Sequence, residues 1–157
     1  TGRYSRIKMR TMSLYESGES NGSISLNELF EKRQYLASMT DLNIEALAKS
    51  IVRGGWPATV SNKFEVYTKP VQDYLDSIIN IDISRVDGIE KNPQKVSMLL
   101  KSLARNISTE ASIEQLRRDM GGKDKNSGSQ PTVLSSLTAL QRIFVIEDLD
   151  AWISFIL

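Results

Sequence analysis

The sequence predicts a mainly α-helical fold: a helical subdomain, then a winged-helix-like three-helix unit, with a short strand near each end. Three observations carry this. From Pro93 to Trp152, three short amphipathic segments run into an apolar, strand-like stretch, the order of a winged helix. Residues 25–88 repeat apolar side chains at helical spacing, punctuated by Ser, Asn, Pro and Gly at helix starts and stops. The apolar alternation of a strand is confined to the two ends.

Along the chain, Tyr4 to Met12 alternates apolar and polar residues and reads as a strand. Residues 15–24, rich in Gly, Ser and Asn, form a loop. Ser25 with Glu28 is a capping box, opening a helix whose apolar face is Leu26, Leu29, Phe30 and Leu36. Ala37 to Asp41 is a break. Asn43 caps a helix through Val52, with Leu47, Ala48, Ile51 and Val52 as its buried stripe. Gly54-Gly55-Trp56-Pro57 stops it: a Gly takes positive φ, Pro57 blocks resumption, and Trp56 anchors the turn against a core.

Phe64 to Ile81 is the longest helical pattern, with Phe64, Tyr67, Val71, Tyr74, Leu75, Ile78 and Ile79 on one side. Pro70 inside it either kinks the helix or starts a new one from its first turn; the second is favoured. Ile81 to Gly88 closes the element in a turn. Asn92-Pro93 opens the next helix, with Val96, Leu99, Leu100, Leu103 and Ile107 inward. Ser112 with Gln115 is a second capping box, before Ile113, Leu116 and Met120. After a polar loop from Gly121 to Gln130, Thr132 to Phe144 is the third helix, with Val133, Leu137, Leu140 and Phe144 inward. Val145 to Leu149 reads as a strand entering a wing. The expected divisions are 1–16, 25–88 and 92–152.

Composition excludes several function classes. The chain has 157 residues, 40% hydrophobic and 25% charged, with 20 Lys and Arg against 19 Asp and Glu. A net charge of +1 is too small for a nucleic-acid coat protein. No apolar run approaches the roughly 20 residues that span a bilayer. The basic start leads into no apolar signal core, so a cytoplasmic, membrane-free protein is expected. His and Cys are absent. A nucleophilic Ser needs a base, and no motif suggests a Ser–Lys pair, so no catalytic residue is expected. Asp73, Asp76, Asp82 and Asp87 read as solvated helix charges and caps rather than metal ligands.

The third helix is where a winged-helix protein meets the DNA major groove. Its outward positions are expected to be Thr132, Ser135, Ser136, Thr138, Gln141 and Arg142, with Arg105, Arg117, Arg118, Lys123 and Lys125 as a basic rim. Only Arg142 charges the helix itself, and Glu147 and Asp148 follow it, so phosphate neutralisation predicts weak binding. The competing reading is a protein-docking module. Arg3, Arg6, Lys8 and Arg10 either form a solvated edge or face a phosphate-bearing ligand.

Four stretches in this order carry a family resemblance: T-G-R-Y-S-R-I-K-M-R-T-M-S-L-Y-E-S-G-E-S (1–20), R-G-G-W-P (53–57), I-N-I-D-I-S-R-V-D-G (79–88) and L-A-R-N-I-S-T-E-A-S (103–112). Together they resemble the C-terminal part of prokaryotic AAA-type ATP-binding proteins, in which a P-loop ATPase domain precedes a domain of unknown function. The resemblance runs from Thr1 to about Trp152. It implies that residues 1–16 are the tail of the ATPase domain and that the helical and winged-helix segment follows. The family's phosphate loop and acidic metal-binding strand match nothing in this sequence, and the resemblance places them upstream of Thr1. ATP and Mg²⁺ therefore belong to the expected parent protein, and no cofactor is expected in this chain. Family members continue past Trp152 into a further, nuclease-like region; the tail I-S-F-I-L departs from that pattern, as does Pro70.

The expected function is thus a non-catalytic regulatory or coupling fragment of such a protein, with DNA contact through Thr132–Arg142. A stand-alone winged-helix transcription regulator and a docking or homo-oligomerisation module remain as alternatives. The expected partners are the missing ATPase domain, DNA and a second copy of the chain.

Overall fold

The computed structural model describes Ser5 and residues 7–32, 37–60, 64–121 and 128–149, with side chains 32 and 64–67 outside that description. The fold is mainly α-helical, and every regular element among these residues is a helix. In order they are α1 (Leu26–Lys32), α2 (Ile44–Arg53), α3 (Pro57–Val60), α4 (Phe64–Ser77), a π-helical segment (Ile78–Asp82), α5 (Ile83–Arg85), α6 (Pro93–Arg105), α7 (Ile113–Asp119) and α8 (Gln130–Arg142). The two predicted strands are corrected: residues 7–12 and 145–149 carry no strand, and Tyr4 and residues 150–157 lie outside the described residues. Without a partner strand, an alternating sequence has no ladder to complete its backbone hydrogen bonds.

Contacts divide the chain into Thr1–Asp73 and Tyr74–Leu157. The boundary falls inside α4, so the last turn of that helix, from Tyr74 to Ser77, belongs with the three-helix unit.

In the first unit, Asn43 caps α2 through its side chain, which accepts from Ala46 N at 2.8 Å. Gly54 ends it at φ 71°, a conformation that disfavours a side chain. Gly55 is required for a different reason: a Cβ there would collide with the Met12 backbone, whose N–H donates to Gly55 O at 2.8 Å. Pro57 does not simply block the chain but begins the short helix α3. Trp56 is 40% exposed, so it is only a partial anchor. The predicted buried stripe of α2 is overturned: Leu47, Ala48, Ile51 and Val52 face outward, and Ser50 and Arg53 are buried instead. On α1, Leu26 and Phe30 are exposed as well.

The second unit holds the apolar core: Ile78, Ile83, Val96, Leu99, Met120, Val133, Ala139 and Leu140. Each large side chain removed from water in this way contributes about 1.5–3 kcal/mol. Pro70 lies within an uninterrupted α4 rather than opening a new helix. Helix then continues where a turn was expected, through the π-segment to Arg85, with Ile83 N donating to Ile78 O. Asn92 and Pro93 open α6, and Asn92 Oδ1 accepts from Lys95 N at 3.1 Å. Ser112 caps α7, but Gln115 reaches Asn106 instead of returning to the cap. Ser102, fully buried, donates to Leu116 O and satisfies its hydroxyl across the α6–α7 interface. Helix α8 starts at Gln130, two residues before the predicted start, because Ser129 caps it and Pro131 suits its first turn. Four residues of this unit expected on apolar faces are exposed: Tyr74 and Leu75 of α4, Ile107 and Phe144. Ile107 lies past the end of α6, and Phe144 lies past α8 at φ 60°.

Candidate functional site

The predicted nucleic-acid residues do not form one basic surface. Arg105 donates to Asp119, with Nε to Oδ2 at 2.9 Å. Arg117 grips Glu114 at 3.0 Å, and Arg118, largely exposed, stands 3.5 Å from the same carboxylate. Hydrogen bonds from Arg105 and Arg117 hold the carboxyls of Asp119 and Glu114 below their ordinary range. Three of the predicted cations are thus opposed by acids on α7. Lys123 and Lys125 lie outside the described residues.

On α8, Thr132 is exposed and its hydroxyl shares a hydrogen bond with Ser129. Thr138 and Arg142 are exposed, while Gln141 donates to Asp148 at 2.6 Å. Ser136 was expected outward but is buried, donating to Thr132 O one turn back. It follows Val133 by three positions, which places it on the core face.

Ser135 has a partner that no motif announces. Lys91 Nζ donates to Ser135 Oγ at 3.0 Å and to Asp87 Oδ2 at 2.8 Å. Lys91 is 6% exposed, and its stem crosses from the segment before α6 to α8. Beside it is a cavity of about 320 Å³ lined by residues that include Asn92, Lys95, Thr132, Ser135 and Ser136. A Ser–Lys pair in a cavity has the outline of a nucleophile and base. Here Lys91 is the donor in both bonds. Asp87, its carboxyl lowered first by the hydrogen bond from Lys91, completes an ion pair. The group ties two elements together.

The most strongly organised polar cluster was not foreseen. Arg53, in the last turn of α2, donates from Nη1 to Glu19 Oε1 at 2.6 Å and from Nη2 to Oε2 at 2.8 Å. Ser50 and Ser17 also donate to this carboxylate. The guanidinium first, then Ser17, pulls the Glu19 carboxyl down to about 2. Glu19 itself is presented by a turn in which Ser13 N and Oγ both donate to Glu16 Oε2. Arg53 and Glu19 are 34 positions apart, and no local spacing signals their meeting.

Among the described residues, no group of three or more His, Cys, Asp or Glu could hold a metal ion. Asp73 pairs with Lys69 and Asp82 accepts from Ser77. No helix among them is long and apolar enough to cross a membrane.

The profile of a family described as a domain of unknown function (DUF8612) matches residues 44–154. No curated protein and no solved structure matches the chain.

Proposed function

The chain belongs to the DUF8612 family, a domain of unknown function, and from that premise we propose that it is a non-catalytic coupling segment of a prokaryotic AAA-type ATP-binding protein. In this reading it relays movement from an ATPase body to the family domain. The Glu19–Arg53 pair carries the reading. The family match begins at Ile44, the first residue of α2. Glu19 and Met12 lie ahead of it, in or beside the stretch that resembles the end of an ATPase domain. Both are fastened to the α2 end of the family domain: Glu19 through the two-pronged ion pair, Met12 through its bond to Gly55. A bidentate guanidinium–carboxylate contact fixes direction as well as distance. Displacement of residues 12–19 is therefore passed to α2 rather than absorbed by a slack loop.

The test uses the product of the whole reading frame. A Gly-rich phosphate loop is expected in frame upstream of Thr1. Nucleotide should change hydrogen exchange of the α2 amides, and Glu19→Gln should abolish that change while leaving ATP hydrolysis intact. Tight Mg²⁺-dependent nucleotide binding by the isolated 157-residue chain would overturn the reading.

DNA contact is a second reading, favoured by the exposure of Arg118 and Arg142. It predicts retention on DNA in low salt that the double change Arg118→Glu, Arg142→Glu removes. No retention at low salt leaves protein docking, and specific binding of a palindromic site as a dimer would instead identify a transcription regulator.

A further inference from the structure

We propose that the turn of α4 from Pro70 to Asp76 is a conformational joint, which opens by local unfolding while the elements on either side of it stay folded. The proposal is independent of the coupling reading, and its test requires no nucleotide.

The backbone is weakened where the turn begins. Pro70 lies well inside α4, a helix of 14 residues. It has no N–H, so the carbonyl of Val66 lacks the bond that a regular helix would give it, and the ring crowds that carbonyl. The ring also disfavours helical backbone at Lys69, the residue before it. Lys69 pairs with Asp73 across this weak point at 2.9 Å. Their side chains are 78% and 60% exposed, so the pair adds little.

Packing does not make good the loss. Gln72, Asp73, Tyr74, Leu75 and Asp76 are exposed in unbroken succession. With about 3.6 residues per turn, these positions go right round the helix, so no side of the turn is shielded from water. Opening it uncovers little additional apolar surface, and burial of such surface is what holds most protein helices in place. Helix α6 is the contrast, with Val96, Leu99 and Ser102 buried along its length.

The C-terminal side of the turn is firmly held. Asn80 Nδ2 donates to Asp76 O at 2.8 Å. Ile78, 2% exposed, is seated in the apolar core. The division between the two compact units also falls within the turn, after Asp73. A missing backbone bond, an unshielded surface and a division of the contacts thus coincide on one stretch. Segments with exposed backbone bonds and little burial are the ones that open independently of the whole.

Amide hydrogen exchange of the full 157-residue chain provides the test. Relative to their intrinsic rates, the amides of Gln72 to Asp76 should exchange at least about 100-fold faster than those of Leu99 to Ser102. Leu140→Ala, which weakens the core, should speed exchange in α6 and leave residues 72–76 unchanged. Pro70→Ala supplies the bond to Val66 and should slow residues 72–76 at least about tenfold. Gln72→Gly should speed them about threefold. Protection of residues 72–76 equal to that of α6, and lost together with it in Leu140→Ala, would show that α4 opens only with the whole chain and would overturn the proposal. Exchange of residues 72–76 indifferent to Pro70→Ala would do the same.

Discussion

Arg53 and Glu19 meet as a fork on a fork, both guanidinium Nη atoms reaching both carboxylate oxygens across a separation of 34 residues. Arg53 is one of two buried residues on α2, and the helix is oriented by this polar contact rather than by its apolar stripe.

Removing either partner should be costly, because the remaining group keeps its reduced access to water. Glu19→Gln or Arg53→Met is expected to destabilise residues 12–54 by about 1–3 kcal/mol. Arg53→Lys should recover only part of the loss, since an ammonium cannot make the two-pronged contact. Hydrogen exchange of the α2 amides measures the effect region by region.

Acid should release the same contact. Glu19 has its carboxyl lowered from 4.5 to about 2, so the folded state binds its proton less readily than the unfolded chain. The stabilisation is fully present above pH 4.5 and is lost as pH falls through about 2. Asp87, Glu114 and Asp119 are lowered as well and act in the same direction. Urea midpoints measured between pH 6 and pH 2 should fall with acidity, and fall less steeply for Glu19→Gln.

Lys91 makes a different kind of tie. Lys91→Met should lower stability by about 1–3 kcal/mol, leaving Asp87 and Ser135 without its ammonium. Ser135→Ala should cost less than about 1 kcal/mol, because the lysine keeps its carboxylate partner. Neither the wild type nor Ser135→Ala should react with a fluorophosphonate probe. Labelling of Ser135 would show that the hydroxyl is activated after all.

Position within the core should decide the cost of losing an apolar side chain. Leu140, fully buried among the helices of the second unit, should cost about 2–5 kcal/mol as Leu140→Ala. Ile107→Ser removes a side chain of similar size that is exposed, and should change stability by no more than about 0.5 kcal/mol. Thermal unfolding of the two variants side by side checks this.

The helices were legible wherever a cap or a Pro fixed a start. Asn43, Asn92 and Ser112 each accept the backbone bond that their type predicts. The direction of a helix face was less legible, because periodicity says which residues share a side and not which side meets a neighbour. The stripe of α2 is correctly grouped yet outward, since its other face is claimed by a carboxylate from a distant turn. Ile107 and Phe144 continue their apolar patterns beyond the points where their helices end. At the candidate sites, residue type identifies the arginines, and the i, i+3 and i, i+4 spacing of Glu114 to Arg117 and Arg118 already signals the pairing that opposes two of them. Ser135–Lys91 and Glu19–Arg53 join residues too far apart for local spacing to reveal.

The π-segment Ile78–Asp82 lets the gene carry one residue more than a regular helix would need. With about 3.6 residues per α-turn, side chains five apart diverge around a helix. The wider turn, closed by Ile83 N to Ile78 O, instead brings both isoleucines into one core. Loss of a single codon there would leave an unbroken regular helix of good propensity. The two isoleucines would then stand four positions apart, about 40° around the axis, so Ile83 would still share the face of Ile78.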